Sequence, residues 1–432
     1  MPERSLAERE LLEKARRYFP GGTSGNFRFP EALDFLIRKG QGAHVWDASG
    51  RRYIDWLMGS GPLVLGHAHS AVVEAVSTAL ERGSTYFANN EQAVLLAEEL
   101  VRAFPCAEQV RFTTSGTDAC LQCLRVARAY RQRDKIVKFE GGYHGMSDYG
   151  LMSVSSSSTP DFPQPVPCSG GLPRAIEDTV LIAPFNDLEI TSQLIERHAD
   201  ELAAVIVEPM QRLLTPVPGF LAGLREVTKR HGVVLIFDEV VTGFRLAYGG
   251  AQERYGVVPD LCAIGKIMGG GLPLAGVLGR KNIMAMYDPD VATPENYVQQ
   301  IGTLNGNPIA CAAGLATLAE LRKDGAYGRL RSVGRRLRQG LVTVCNDHDI
   351  AVQSCGEDAL FDVFFSEHPV QNYRDQLLAD SDRAARFNTG LLEQGILKFW
   401  PQKFYPSLAH TDEDIEETVS VMAQVMSRLR AD

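Results

Sequence analysis

The run Val233–Phe237 is apolar without interruption and ends in two carboxylates, Asp238 and Glu239. A strand with one solvated face alternates apolar and polar residues, so an unbroken run indicates a strand buried on both faces, as in a parallel sheet. Ligands of open α/β sheets bind outside the carboxyl ends of such strands. The run therefore predicts an α/β fold with Asp238 at a ligand-binding edge; a helix cap or an ion pair with an arginine is the alternative role for Asp238.

Lys266 is an isolated lysine. The apolar segment Leu261–Ile264 precedes it, and three glycines, Gly269–Gly271, follow it. An amine attacks a carbonyl only when it is deprotonated, and a desolvated setting lowers the pKa of a lysine toward that state. The glycines would let the backbone approach a planar ring. The pattern predicts a lysine that carries an aldehyde cofactor, and a solvated lysine before an ordinary loop is the alternative.

Two further segments suit other parts of such a cofactor. Ser115-Gly116-Thr117 lies between a short strand and a helical stretch, where hydroxyls and backbone amides form an anion site suited to phosphate. An ordinary N-cap explains the same residues without a ligand. Tyr143 is flanked by glycines in Glu140–Gly145, so its ring is placed to lie flat on another ring.

In this order, the four elements resemble the pyridoxal 5'-phosphate enzymes of fold type I, specifically the class III aminotransferases, over nearly the whole chain. The resemblance is to the branch of glutamate-1-semialdehyde 2,1-aminomutase and the β-amino acid aminotransferases. It is carried by these segments: Pro20-Gly21-Gly22, Ser115-Gly116-Thr117, Tyr143-His144-Gly145, Gly302-Thr303-Leu304-Asn305-Gly306-Asn307-Pro308 and Ser407-Leu408-Ala409-His410. It implies a large lobe with a mostly parallel seven-stranded sheet flanked by helices, and a smaller α+β lobe built from both chain ends.

The resemblance also implies the roles of the site residues. Lys266 would form a Schiff base with pyridoxal phosphate, Asp238 would pair with the pyridine nitrogen, and Tyr143 would stack on the ring; these three are the expected catalytic residues. Thr303 would reach the phosphate of the neighbouring subunit's cofactor, which implies a homodimer. The full set expected to bind the cofactor is Ser115, Gly116, Thr117, Tyr143, His144, Asp238, Val240, Lys266 and Thr303.

Three residues are expected to contact substrate. Arg28 aligns with the arginine that binds the substrate carboxylate in the aminomutase branch, with a solvated loop arginine as the alternative. Lys403 is a candidate second anion contact. An ungapped count places Gln402 where the aminomutase pattern carries a glutamate, so the charge linked to holding the diamino intermediate is lost.

The expected function follows from these departures. We expect an aminotransferase that moves an amino group from a β- or γ-amino acid, or an amine, to a keto acid or aldehyde; glutamate-1-semialdehyde 2,1-aminomutase is the alternative. In the ornithine and 4-aminobutyrate branch, a second glutamate follows the Glu-Pro pair. In this chain the corresponding segment, Glu208–Leu214, has a leucine at the place of that glutamate. A cofactor-binding regulatory or scaffold protein is the alternative from another class.

Composition bounds the class of protein. The chain has 432 residues, 45% of them hydrophobic, and a net charge of -9, which predicts two lobes with a large core and argues against nucleic acid as a partner. No apolar run reaches the length of a membrane span, and the N-terminal residues lack a signal pattern, so we expect a soluble cytoplasmic protein. Cys120 and Cys123 form a CxxC within a helical pattern, which favours core packing over a metal site, and no metal is expected.

The order of elements predicts the organisation of the chain. We expect an N-terminal extension over 1–60, a cofactor lobe over 61–305 and a C-terminal part of the small lobe over 306–432. A serine- and proline-rich segment, Met152–Leu172, predicts a mobile loop, which the aminomutase branch uses as a gate. The predicted strands of the cofactor lobe are Gln109–Thr113, Ile136–Phe139, Ala203–Val207, Val233–Phe237 and Ala275–Gly279.

Overall fold

The computed structural model describes residues 4–29, 33–398, 401 and 403–431. Their contacts divide the chain into two compact units. The sheet unit comprises Ala71–Asp324 and Pro369–Leu378, and the terminal unit comprises the described residues of Met1–Ser70, Gly325–His368 and Ala379–Asp432.

The strands are short, from two to six residues each. In chain order they are β1 Ile37–Gln41, β2 His44–Asp47, β3 Arg52–Asp55, β4 Gln109–Thr113, β5 Lys135–Phe139, β6 Val180–Ala183, β7 Leu202–Val207, β8 Val234–Glu239, β9 Leu261–Ile264, β10 Ala275–Gly279, β11 Gln353–Glu357, β12 Leu360–Phe364 and β13 Ile396–Leu397.

The helices range from single turns to 22 residues. In chain order they are α1 Leu6–Tyr18, α2 Ser70–Arg82, α3 Glu91–Ala103, α4 Gly116–Arg131, α5 Arg174–Glu177, α6 Leu188–His198, α7 Phe220–Arg230, α8 Gly250–Tyr255, α9 Lys281–Met284, α10 Pro308–Leu321, α11 Ala326–Asp347, α12 Tyr373–Leu377, α13 Ser381–Glu393 and α14 Asp412–Ala431.

The sheet unit contains a seven-stranded sheet in the order β4-β10-β9-β8-β7-β5-β6. The pairs from β6 through β9 are parallel, and β10 is antiparallel to both of its neighbours. All residues of β7 and β8 are buried, because helices such as α4 and α7 cover the sheet. The expected α/β fold with a mostly parallel seven-stranded sheet is confirmed.

The five predicted strands are all present, and those over Gln109–Thr113 and Ala275–Gly279 have the predicted bounds. The prediction missed β6 and β9. Each is a run of four buried apolar residues, too short to show a period that separates a strand from a piece of helix.

The terminal unit contains a second sheet, in the order β1-β2-β3-β13, and the β11–β12 hairpin. Strands β2 and β3 of this sheet form an antiparallel hairpin. Helices α11, α13 and α14 pack together beside it, and the indole Nε1 of Trp56 donates a hydrogen bond to Thr418 Oγ1 at 2.9 Å. At the start of α14, Thr411 Oγ1 accepts a hydrogen bond from the backbone N–H of Asp414.

Along the chain the two units are divided after Ser70 and Asp324, whereas we expected bounds at 60 and 305. Residues 306–324 group with the sheet unit because α10 packs on α3 and on the turn that contains Lys266. Residues 369–378 join the same unit, since Arg374 forms an ion pair with Glu140 at 2.9 Å. Among the described residues, no helix is both long and apolar enough to span a membrane.

Candidate active site

Asp238 lies near the carboxyl end of β8, and its buried carboxylate is held by three donors. Oδ2 accepts hydrogen bonds from His144 Nδ1 at 2.8 Å and from Cys120 Sγ at 3.2 Å. Oδ1 accepts from the backbone N–H of Val240 at 3.1 Å. These bonds fix the carboxylate in one orientation at the ligand-binding edge of the sheet.

Glu239, the next residue, forms hydrogen bonds at the start of α8. Its carboxylate accepts hydrogen bonds from Thr242 Oγ1 at 3.0 Å, the backbone N–H of Ala251 at 2.5 Å and Gln252 Nε2 at 3.1 Å. Burial raises the pKa of Glu239 to about 7. Because successive side chains of a strand point to opposite faces, the helix-capping role belongs to Glu239, while Asp238 binds His144 and Cys120.

The loop after β5 carries Tyr143 and His144, and a buried lysine from the strand holds this loop. Lys138 Nζ donates hydrogen bonds to the carbonyl oxygens of Gly142 at 3.0 Å, Gly150 at 3.2 Å and Met152. Burial lowers the pKa of Lys138 to about 7. The backbone of the loop is therefore anchored on both sides of the two site residues.

Tyr143 lies on this anchored loop with its side chain partly accessible. Its backbone N–H donates to Glu208 Oε2 at 3.2 Å, and the residue is 37% exposed. The guanidinium carbon of Arg212 lies 5.4 Å from the ring centroid. A ring held in this way offers a flat apolar surface for stacking.

The N-terminus of α4 provides the candidate anion site. Ser115 is its N-cap, and its Oγ accepts a hydrogen bond from the Asp118 N–H at 3.2 Å, so the ordinary capping role is present. Thr117 Oγ1 accepts from the Met146 N–H at 3.1 Å. The first amides of a helix have no intrahelical partners, so the N–H groups at the start of α4 suit a phosphate in addition to the cap.

Two glycines bring these segments together. A Cβ on Gly116 would lie 2.8 Å from Val240 Cγ1, so only glycine lets α4 begin directly against the residues after β8. A Cβ on Gly145 would lie 2.5 Å from Thr117 Oγ1, and the φ of Gly145 is +84°. The phosphate-type site, the Tyr143 loop and the Asp238 strand end therefore converge on one place.

Lys266 follows β9 and begins a short 3-10 helix, Lys266–Gly269, with a left-handed φ of 51°. Burial is the largest cause that lowers its pKa to about 8, and the positive charge of Arg212 is the second. Gly265 lies against Val240, since a Cβ there would be 3.4 Å from Val240 Cγ1. The predicted desolvated lysine thus lies beside the Asp238 site.

The glycines after Lys266 pack against protein. A Cβ on Gly270 would lie 2.6 Å from the carbonyl oxygen of Ala313 in α10. Gly314 of the same helix lies close to the Met268 carbonyl oxygen, 2.1 Å from where its Cβ would stand. Close packing with α10 therefore leaves no room for a side chain at Gly270.

Together these residues match the parts of pyridoxal phosphate. Lys266 offers an amine of lowered pKa for the aldehyde, Asp238 a fixed carboxylate for the pyridine nitrogen, and Tyr143 a flat surface for the ring. The start of α4 offers amides for the phosphate. The donor set therefore fits this cofactor.

Thr303, Arg28, Lys403 and Gln402 are the remaining expected residues. Thr303 is on an exposed turn of the sheet unit and lines a cavity of about 460 Å³ together with Tyr86 and Phe87. Arg28 and Lys403 belong to the terminal unit; Arg28 is exposed, with its guanidinium against Gly21, and Lys403 is buried. Gln402 lies outside the described residues.

Sequence reasoning missed three contributors: Cys120, Glu208 and Arg212. Cys120 is buried as predicted for a core cysteine, yet the fold brings His144 and Asp238 to it, so that the three donor atoms lie within 4.8 Å of one another. No spacing along the chain shows this, because the three residues come from α4, a loop and β8. Glu208 was visible only as part of a Glu-Pro pair, and Arg212 carried no signal.

The chain is similar to known proteins over most of its length. The family model described as "Aminotransferase class-III" matches residues 29–426. An omega-transaminase from Sphaerobacter thermophilus is 36% identical, with 99% of this chain and 98% of that chain covered and a TM-score of 0.93. A β-phenylalanine aminotransferase from Variovorax paradoxus is 33% identical, with 98% and 94% covered and a TM-score of 0.88.

A third solved structure represents the aminomutases. The glutamate-1-semialdehyde aminomutase from Pseudomonas aeruginosa PAO1 is 28% identical, with 98% of this chain and 94% of that chain covered and a TM-score of 0.87. The family match extends over most of the chain, and the donor set described above fits the cofactor of this family. The chain therefore belongs to the class III aminotransferases and is a pyridoxal-phosphate-dependent transaminase.

Proposed function

We propose that Lys266 is the residue that binds the cofactor and moves the proton during amino transfer. The observation that carries this proposal is its lowered pKa, about 8, in a half-buried position beside the Asp238 site. An amine whose pKa lies near neutral pH is suited both to attack an aldehyde and to act as general base and acid. Lys266 Nζ would hold the cofactor through its aldehyde carbon, with loss of water, and as a free amine it would accept the proton from the amino-bearing carbon of the donor.

Asp238 is proposed to hold a proton on the pyridine nitrogen. Its negative charge favours the protonated ring, and the bonds from His144 and Cys120 keep the carboxylate aimed in one direction. When bound, pyridoxal phosphate supplies an electron sink and carries the amino group between donor and acceptor. Tyr143 and Val240 would hold the two faces of the ring.

Ser115, Gly116 and Thr117 are proposed to bind the phosphate, with Thr303 of a second subunit completing the site. The sheet unit exposes large apolar side chains near Thr303, which supports a homodimer: Phe87 is 69%, Ile301 71% and Leu304 51% exposed. Such side chains are typical of subunit interfaces. Light scattering of the purified protein tests the dimer, and Ile301→Glu should give monomers that lose bound cofactor.

The proposed amino donor is a β- or γ-amino acid or an amine, and the acceptor is a keto acid or aldehyde. Similarity to an omega-transaminase and to a β-phenylalanine aminotransferase supports this choice. Arg28, Gln402 and Lys403 remain proposed substrate contacts. Arg28 is exposed and its planar guanidinium suits a carboxylate.

The alternative is the aminomutase reaction, in which the amino group moves between adjacent carbons of one molecule. Similarity to the Pseudomonas aeruginosa aminomutase favours it. The absence of a glutamate at position 402 opposes it, since glutamine carries no charge there.

One experiment separates the two reactions. The purified holoenzyme is mixed with one donor at a time, with and without a keto acid, while the absorbance of the bound cofactor and the released carbonyl product are followed. Product release that continues only with the acceptor supports the transaminase with that donor. Conversion of glutamate-1-semialdehyde without any acceptor would instead establish the aminomutase.

Lys266→Ala tests the central residue in the same assay. Turnover should fall by at least about a thousandfold, given the usual contribution of a general acid or base and the added loss of the cofactor linkage. Near-normal turnover in this variant would refute the role of Lys266.

We also propose a cytoplasmic location. Cys120, Cys123 and Cys262 are buried thiols in the sheet unit, as is usual for proteins of a reducing compartment. Cell fractionation with an antibody against the protein tests this, and recovery from a secreted or membrane fraction would contradict it.

A further inference from the structure

Arg212 occupies a backbone position that disfavours any side chain. Residues 211–214 form a tight turn, in which the Leu214 N–H donates to the Gln211 carbonyl oxygen at 2.8 Å. Arg212 is the first central residue and has a φ of 58°, whereas Leu213 is not left-handed. Glycine is the default residue at such a position. A side chain kept at a strained position calls for a functional explanation.

The turn is fixed by its buried neighbours. Gln211, Leu213 and Leu214 are all less than 7% exposed, and Gln211 Nε2 donates to the carbonyl oxygen of Glu140 at 2.7 Å. Arg212 itself is half-buried. The backbone from which the Arg212 side chain projects is therefore held in place.

The guanidinium lies among the residues of the candidate site. Its central carbon is 5.4 Å from the Tyr143 ring centroid. Its charge is also close enough to Lys266 to lower the pKa of that amine, second only to burial. Arg212 thus faces the residues proposed to hold the cofactor ring and its reactive carbon.

No carboxylate in the part of the chain that the structure describes forms an ion pair with Arg212. The nearby acids are occupied, because Glu208 accepts from the Tyr143 N–H and Asp238 accepts from His144 and Cys120. A half-buried cation beside a second cationic group is unfavourable unless an anion joins it.

We propose that Arg212 is a carboxylate anchor of the substrate pocket, which selects amino donors and keto acceptors that carry a carboxylate over amines that lack one. The guanidinium offers two parallel N–H donors, which match the two oxygens of a carboxylate. This assignment rests on the proposed transaminase function.

The test uses the holoenzyme and two substitutions. Arg212→Gly removes the side chain and suits the left-handed backbone, so the turn keeps its shape. Arg212→Lys keeps the charge but loses the planar pair of donors. Gln132→Gly is the matched control, because Gln132 is also left-handed, with a φ of 54°, and caps the end of α4 away from the site.

The first readout needs no turnover. Propionate, which cannot react, is titrated into each holoenzyme while the absorbance of the bound cofactor is recorded. We expect Arg212→Gly to raise the dissociation constant of propionate roughly 10- to 100-fold, and Arg212→Lys to raise it less. Gln132→Gly should match the parent protein.

The second readout compares two donors, β-phenylalanine and 1-phenylethylamine. Arg212→Gly should raise KM for the amino acid at least about tenfold more than it raises KM for the amine. Equal loss for both donors, an unchanged propionate constant, or a weakened affinity for pyridoxal phosphate itself would overturn the assignment. If the parent protein transfers no amino group from any donor, the proposed function fails, and the propionate titration still reports on Arg212.

Discussion

Cys120 donates a hydrogen bond to Asp238, with 3.2 Å between Sγ and Oδ2. The oxygen that accepts it also binds His144, so a thiol and an imidazole share the task of orienting the carboxylate. Burial and the charge of Asp238 raise the pKa of the thiol, which keeps it protonated and able to donate.

Removal of this donor should weaken the hold on the cofactor. Cys120→Val keeps a similar volume without a donor, and we expect the dissociation constant of pyridoxal phosphate to rise about 2- to 10-fold, the range of one neutral hydrogen bond. Cys120→Ser should retain most of the affinity. Equilibrium dialysis measures the constant, and Cys123→Val, a buried neighbour on the same helix, is the control. Equal effects of both valine substitutions would mean that packing alone matters.

Cofactor capture by the apoenzyme should depend on pH through Lys266. Burial and the charge of Arg212 lower the pKa of this amine from 10.5 to about 8, and only the deprotonated amine attacks the aldehyde. The rate of covalent capture should therefore rise with pH and reach half of its maximum near pH 8. Stopped-flow absorbance measures this rate.

Two variants check that the profile belongs to Lys266. Lys266→Ala should show no covalent capture, and Lys281→Ala, which changes an exposed lysine, should follow the parent profile. A midpoint near 10 in the parent protein would show that Lys266 is not desolvated.

His410 should make the terminal unit sensitive to acid. Its Nδ1 accepts hydrogen bonds from the Ser407 N–H at 3.0 Å and Oγ at 2.8 Å, and its Nε2 donates to the Asp55 carbonyl oxygen at 3.1 Å. Burial lowers its pKa from 6.5 to about 4. Between these values the unfolded chain binds a proton that the folded chain does not.

The free energy of unfolding should consequently fall by up to about 3 kcal/mol as the pH drops from 6.5 to 4. Urea unfolding at a series of pH values measures this. His410→Gln should be less stable at neutral pH but show a shallower decline, while His368→Gln, at an exposed position, should keep the parent slope. The same decline in His410→Gln and the parent protein would refute the assignment.

Lys398 and Asp362 form a buried ion pair, with 2.6 Å between Nζ and Oδ2. Burial raises the pKa of Asp362 and lowers that of Lys398. Lys398→Met alone should lower the free energy of unfolding by about 3–5 kcal/mol, because it leaves a buried carboxylate without a partner. The double variant with Asp362→Leu should recover most of that loss. Urea unfolding of the four proteins measures the coupling, and additive losses would contradict it.

The sequence predicted the sheet better than the site. Strand β8 was visible because its apolar run is long and ends in acids. Strand β6 was not predicted, because a run of four apolar residues is too short to show the period of a strand or a helix. The resemblance to a family supplied the strand count, which no local pattern gives.

The site was predicted as a set of residues but not as a hydrogen-bond network. Cys120 and His144 are 118 and 94 residues from Asp238 in the chain, so their meeting depends on the tertiary fold. Arg212 was missed for another reason. A left-handed turn is normally signalled by glycine or asparagine, and this turn has neither.

The anchoring of the Tyr143 loop by Lys138 has a consequence for how this protein can diverge. The lysine holds backbone carbonyl oxygens, which every residue possesses, and therefore places no demand on the loop's own side chains. Met146, in the middle of the anchored stretch, is 60% exposed. Substitutions there can accumulate while Tyr143 and His144 keep their positions, so one buried lysine leaves part of this loop open to evolutionary change.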